Sequence, residues 1–167
     1  LIDHALGTAT VLAGMQADAQ TRAAALLIAL PEITPAPSAK QPDPVTQHFG
    51  VEIGRLVQGT RALLRLGSLA SGASHTALDS VAQKEKLRKM LLAMAADLRI
   101  VLIRLASRLQ TLRWYAAAKI PCDPALARET LDLYTPLANR LGIWQIKWEM
   151  EDLAFRFTDP ERYKEIA

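Results

Sequence analysis

Three imidazoles, one thiol and a few spaced charges are the groups in this 167-residue chain whose chemistry reaches beyond packing. His4, His48 and His75 are neutral nitrogen donors of the kind that bind first-row transition metals. They lie far apart in sequence, and His48 and His75 fall in or beside loop-like segments, so no metal-ligand spacing joins them to His4. Cys122 is the single cysteine, which excludes an internal disulfide framework and a cysteine-rich zinc site. Arg104 and Arg108 stand four residues apart, share a helix face, and can meet either a carboxylate or an anionic ligand. Lys84, Lys86, Arg88 and Lys89 make a basic stretch with no aromatic side chain between them for base stacking, so it reads as a solvated face. Trp144 and Trp148, also four apart, read as a packing seam rather than a ligand box.

The elements that must carry these groups read as helices. Half of the residues are hydrophobic, yet only 5% are aromatic, and Ala and Leu dominate. The length suffices for one domain with a real core. No β-alternation and no internal repeat is visible, and the expected fold is all-α, a compact multi-helix domain. The pattern predicts helices over Asp3–Met15, with Leu6, Val11 and Leu12 as core, and over Ala19–Leu30, with Asp18 as its cap. Pro31 ends or kinks the second helix, and a Pro-rich loop continues to Pro44. A helical turn over Val45–Phe49 closes at Gly50. A helix over Val51–Leu69 follows, with Ile53, Leu56, Val57, Leu63 and Leu64 on its periodic face.

A small-residue loop spans Gly67 to Ser74. A charged helix then begins at Asp79 or Ser80, with Leu87, Met90, Leu91 and Met94 on one face. Arg99–Tyr115 is the most apolar helix and is expected at the centre. Pro124 suits a first helical position after the turn at Pro121. Helices follow over Ala125–Leu141, Trp144–Phe157 and Pro160–Ile166, with Gly142 closing the first of these. The net charge of +3 licenses only weak attraction to nucleic acid or nucleotides. No apolar run is long enough to span a membrane and no signal peptide is visible, so a cytoplasmic protein without a membrane partner is expected. The opening Leu1-Ile2-Asp3-His4, without Met and already inside a periodic pattern, reads as an excised fragment.

The C-terminal third carries a specific resemblance. The run from Glu129 through Tyr134, Pro136, Asn139-Arg140, Gly142, Trp144 and Lys147 to Glu149 is similar, almost residue by residue, to the RelA/SpoT family of alarmone enzymes. The similarity continues through Glu151–Arg156 and Pro160–Tyr163, and upstream through Leu87–Ala95, and it covers the whole chain except the two loops. In that family the region is a helical metal-dependent phosphohydrolase domain, named for its His-Asp motif, which removes the 3′ pyrophosphate of ppGpp and pppGpp with Mn(II). The resemblance implies four metal ligands: a first His, an adjacent His-Asp pair and a later Asp. Such ligands suit Mn(II), and the bound metal makes a nucleophile of water. A Glu-Asp pair that follows handles protons.

His4 matches the first ligand. Leu26–Thr34 aligns without gaps to the family's Leu-Leu-His-Asp-x-x-Glu-Asp-Thr, which puts Ile28 and Ala29 at the His-Asp positions, Glu32 at the first acid and Ile33 at the second. Leu105–Arg113 aligns to Leu-Ala-Asp-Arg-Leu-His-Asn-Met-Arg, which puts Ser107 at the last ligand and Thr111 at a nucleotide-facing Asn. Three of four ligands and one catalytic acid are thereby replaced. The expectation is a catalytically inactive hydrolase-like domain with no Mn(II) or other cofactor. Glu32, beside Pro31, reads as a surface acid near a helix end, and Arg104, Arg108 and Thr111 mark a vestigial nucleotide pocket. Residues 1–140 are expected to form the degenerate hydrolase domain, and residues 141–167 to be helices leading toward an absent synthetase domain.

That synthetase domain, which in the family transfers pyrophosphate from ATP to GTP or GDP, is the expected partner of a regulatory domain. Retained alarmone binding or residual hydrolysis is one alternative. A ribosome or RNA contact is another, expected only through regions this chain lacks.

Overall fold

The computed structural model describes residues 1–30, 43–68, 88, 90 and 96–166, and among them there is no β-strand. The helices are α1 (Ile2–Gly14), α2 (Ala19–Leu27), α3 (Pro44–Phe49), α4 (Val51–Ser68), α5 (Leu98–Ala118), α6 (Pro124–Glu129), a π-helical turn (Thr130–Tyr134), α7 (Thr135–Arg140), α8 (Trp144–Thr158) and α9 (Pro160–Ile166). The chain separates into two compact units, Leu1–Arg104 and Leu105–Ala167, with the division inside α5. The family fold class, all-α, is thus the observed one.

The first unit begins with a helical hairpin. α1 ends at Gly14, and Gln16 takes the left-handed conformation (φ 58°) that reverses the chain. Asp18 then caps α2, its carboxylate accepting the Thr21 amide at 2.7 Å. A four-residue link between two packed helices makes them antiparallel. The buried residues are small on both sides, Ala5 and Thr8 on α1 and Thr21, Ala24 and Ala25 on α2, so the backbones approach closely. Leu12, which is fully buried, fills the rest. Leu6 does not join this core. It is 52% exposed, because it lies one residue, and so about 100° around the helix, from the buried Ala5.

Asp43 caps α3, Pro44 occupies its first turn, and Gly50 ends it at φ 91°. α3 and α4 pack at Gly54, where an added Cβ would lie 3.0 Å from the Thr46 backbone, so only glycine fits. Leu56 and Val57 are fully buried on α4, as expected, but Leu64 is 38% exposed. α2 ends at Leu27, three residues earlier than the pattern predicts, and Ile28–Leu30 leave the helix in a turn. The Asp79/Ser80 helix and both predicted loops lie almost wholly outside the described residues. Of that helix's face Met90 is described and is buried.

The second unit surrounds Leu109, Leu112, Leu137, Ala138, Met150 and Ala154, all buried. Asp123 accepts the Ala125 amide and Pro124 opens α6. The single helix predicted over Ala125–Leu141 is interrupted: the Thr135 amide reaches the Thr130 carbonyl, five residues back, and makes the π-helical turn. Gly142 (φ 71°) closes α7, and α8 and α9 follow as the pattern predicts. Trp144 and Trp148 are no packing seam. They are 52% and 63% exposed, because α8 buries Ile146, Met150 and Ala154 on another face.

Candidate functional site

Rise along a helix decides what the α1–α2 hairpin brings together. His4 lies ten residues before the end of α1 and Ala29 ten residues beyond the start of α2. At 1.5 Å per residue both stand about 15 Å from the turn, so His4, Ile28 and Ala29 share the hairpin's open end. His4 is half-buried, and the Thr8 hydroxyl donates to its carbonyl at 2.8 Å. Ile28 and Ala29 are also half-buried and leave α2 through turn bonds, Ile28 N–H to Ala24 at 3.0 Å and Ala29 N–H to Leu26 at 3.3 Å. Glu32 and Ile33 lie outside the described residues.

A third chain segment reaches this end. Arg61, on α4, donates through Nη2 to the carbonyl of Leu30 at 2.7 Å and of Leu27 at 3.3 Å. Leu27 closes α2 and its carbonyl also accepts the Leu30 amide at 3.1 Å, and a cation there meets the negative end of the helix dipole. Nothing in the helical periodicity of α4 marks Arg61 for this role. Its partners are 31 and 34 residues away.

In the second unit, Ser107 is half-buried on α5 and its carbonyl accepts the Thr111 hydroxyl at 3.0 Å. Arg108 is only 9% exposed. Its Nη2 donates to Glu129 Oε2 at 2.5 Å, its Nη1 to the Leu126 carbonyl at 3.4 Å, and its guanidinium carbon lies 4.3 Å from the centre of the Tyr134 ring. Burial works against the charge of Arg108, but Tyr134 and Glu129 more than offset it and hold the group more firmly protonated than usual. Glu129 and Tyr134 flank the π-helical turn. Arg104 is half-buried and belongs to the first unit. Arg113 pairs with Glu149 at 2.5 and 2.7 Å across α5 and α8.

Among the described residues no group of three or more His, Cys, Asp or Glu side chains gathers as a metal site requires. Cys122 is buried, and that burial pushes its thiol up, away from the thiolate. His48 is exposed at the end of α3, Arg88 is exposed, and His75, Lys84, Lys86 and Lys89 lie outside the described residues. No helix of the described residues is long and apolar enough to cross a membrane.

Comparison with known proteins places these features in a family. Residues 1–144 match the model of the HD domain. The chain is 40% identical over 157 residues to a GTP pyrophosphokinase of Photobacterium angustum, covering 94% of this chain and 20% of that protein. It is 42% identical over 118 residues to a probable guanosine-3′,5′-bis(diphosphate) 3′-pyrophosphohydrolase of Synechocystis, covering 71% of this chain and 14% of that protein. It is 38% identical over 165 residues to the bifunctional (p)ppGpp synthase/hydrolase SpoT of Escherichia coli, covering 99% of this chain and 22% of that protein. The chain therefore spans about a fifth of the length of the curated relatives it matches.

Proposed function

Because the chain belongs to the HD-domain family, in the branch of the RelA/SpoT enzymes, we propose that it is a hydrolase-like domain whose metal site no longer works and which regulates an alarmone synthetase in the same parent protein. The observation that carries this reading is the donor set at the matched ligand positions. His4 is one neutral imidazole. Ile28 and Ala29 offer no side-chain donor, and Ser107 offers an uncharged hydroxyl. A divalent manganese ion takes imidazole and carboxylate ligands together, and one imidazole does not replace its hydration shell. These residues do not fit Mn(II).

The replacements also agree with one another. A carboxylate kept in a half-buried site after the loss of its metal would be an uncompensated charge, at a penalty of several kcal/mol. Instead two ligand carboxylates are absent together and small or apolar groups stand in their places. The arginine at the vestigial nucleotide pocket, Arg108, is engaged by Glu129, Leu126 and Tyr134, which favours a structural role for it over contact with an alarmone phosphate.

The parent protein on this reading is a GTP pyrophosphokinase, the name carried by several relatives. The two-state element that allosteric regulation requires would then be the synthetase, biased by the inert domain. Calorimetry of the chain with ppGpp, with and without Mn(II), is the test. The expected outcome is no metal-dependent heat and no release of pyrophosphate. Mn(II)-dependent release of pyrophosphate would overturn the reading.

A further inference from the structure

α8 is apolar on two sides. One side, with Ile146, Met150 and Ala154, is buried in the second unit. On the other, Trp144, Trp148 and Phe155 stand at i, i+4 and i+11, about 140° around the helix from the buried residues. Trp144 is 52% and Trp148 63% exposed, and Phe155 is half-buried. α9 extends this stripe. The Tyr163 ring lies 6.1 Å from that of Phe155, and its hydroxyl donates to Asp152 at 3.2 Å. Ile166, three residues further and on the same side of α9, is 72% exposed. We propose that this aromatic stripe is a docking surface and that its occupant is the segment of the parent chain that follows residue 167. The proposal rests on the reading above only in taking the chain as part of a longer parent.

Four observations favour that occupant. A helix apolar on opposite sides belongs between two layers. Single exposed apolar side chains are ordinary, but several aromatic ones on one surface mark an interaction site. α9 is a seven-residue helix with no buried residue, and a helix that short is marginal in water unless its apolar side chains are packed. The relatives supply the length. The matched region is about a fifth of the Photobacterium and Escherichia coli proteins, so most of each lies outside it. Consecutive elements are usually neighbours in space, so an element that follows α9 meets this surface first. Charge decides against a nucleic acid, although exposed indoles can stack on bases. Residues 144–166 carry six carboxylates and four basic groups, and Glu151 and Asp152 lie beside the stripe, where they repel phosphates. The chemistry that suits it is an apolar protein face, which Trp, Tyr and Phe commonly cover at interfaces.

The experiment uses the full-length parent protein. A photoreactive p-benzoylphenylalanine is placed at position 148 or, in a second variant, at position 144. Both side chains are exposed on α8, so the replacement leaves the core of the unit untouched, and circular dichroism checks the fold. After illumination the captured peptide is identified by mass spectrometry, and gel mobility separates capture within one chain from capture between chains. The expected result is capture, within one chain, of a peptide beyond residue 167 from one position or both. Capture only between chains makes a second copy the occupant and overturns the proposal. So does capture only of residues 1–143, or of no peptide in both folded variants. A further variant keeps this result apart from the reading above. Trp144→Gln combined with Trp148→Gln should change the parent's rate of pyrophosphate transfer by at least about fivefold. An unchanged rate, where capture is found, removes the regulatory reading and leaves the docking surface standing. No capture, where deletion of residues 1–140 still alters the rate, overturns the docking surface and leaves regulation standing.

Discussion

A guanidinium taken out of water stays charged only among groups that replace its hydration, and Arg108 has three of them on one stretch of chain. Leu126, Glu129 and Tyr134 span a helix end and a π-helical turn. In an unbroken α-helix Glu129 and Tyr134, five residues apart, would point about 140° away from each other. The wide turn narrows that angle, so both reach one cation. Removing one partner leaves the other's charge stranded. Arg108→Met and Glu129→Gln should each lower stability by about 3 kcal/mol, read from chemical denaturation followed by circular dichroism. Arg108→Met combined with Glu129→Leu should recover part of that loss. Single variants within 1 kcal/mol of the parent would show that the cluster is not structural. This pairing was illegible in the sequence. The i, i+4 relation of Arg104 and Arg108 was visible, but a partner 21 residues away on another helix leaves no periodic trace. Arg61 was missed for the same reason.

Among the elements, three helix starts in the first unit meet at Arg99. Asp18 caps α2, Glu52 lies in the first turn of α4, and Asp97 accepts the Arg99 amide at the start of α5. The Arg99 guanidinium lies 3.5 Å from Asp18, 2.8 Å from Glu52 and 2.8 Å from Asp97, and Arg55 adds a second cation to Asp97 at 3.0 Å. Each carboxylate suits the positive end of its own helix, and the arginine offsets their mutual repulsion. The Thr21 amide holds the Asp18 carboxyl below its ordinary range, and Arg99 does the same for Asp97. A depressed folded-state value means stability that is present above the ordinary value of 3.8 and lost as pH falls through the folded one.

Asp97→Asn should therefore cost about 1–2 kcal/mol at neutral pH. The difference from the parent should shrink as pH falls below about 4 and vanish in stronger acid. A deficit that persists there would mean packing rather than charge. The cap Asp18, the helix-opening Pro124 and the closing Gly142 were legible, because helix ends use a few residue types at fixed offsets, whereas the cap Asp123 was not singled out. The π-helical turn was not. The buried residues Ala127, Thr130, Tyr134, Leu137 and Ala138 keep ordinary helical spacing, while one backbone bond slips to the fifth residue.

At the scale of the molecule, the all-α class followed from composition and periodicity, and the family from long matching runs. The faces of single helices were read less well. Leu6, Trp144 and Trp148 are apolar residues at helical spacing that the packing leaves outside. If the chain regulates a synthetase, deleting residues 1–140 from the longer parent protein should change its rate of pyrophosphate transfer or the response of that rate to its activators. An unchanged rate and response would remove the regulatory role. A simple optical property comes with the exposed indoles. The chain's three tryptophans, Trp114, Trp144 and Trp148, are 53%, 52% and 63% accessible to solvent. Native fluorescence should already be that of a hydrated indole, and melting the fold should barely move its colour. A shift to the blue on adding any other molecule then reports the covering of α5 or α8 directly, with no label and almost no background from folding itself.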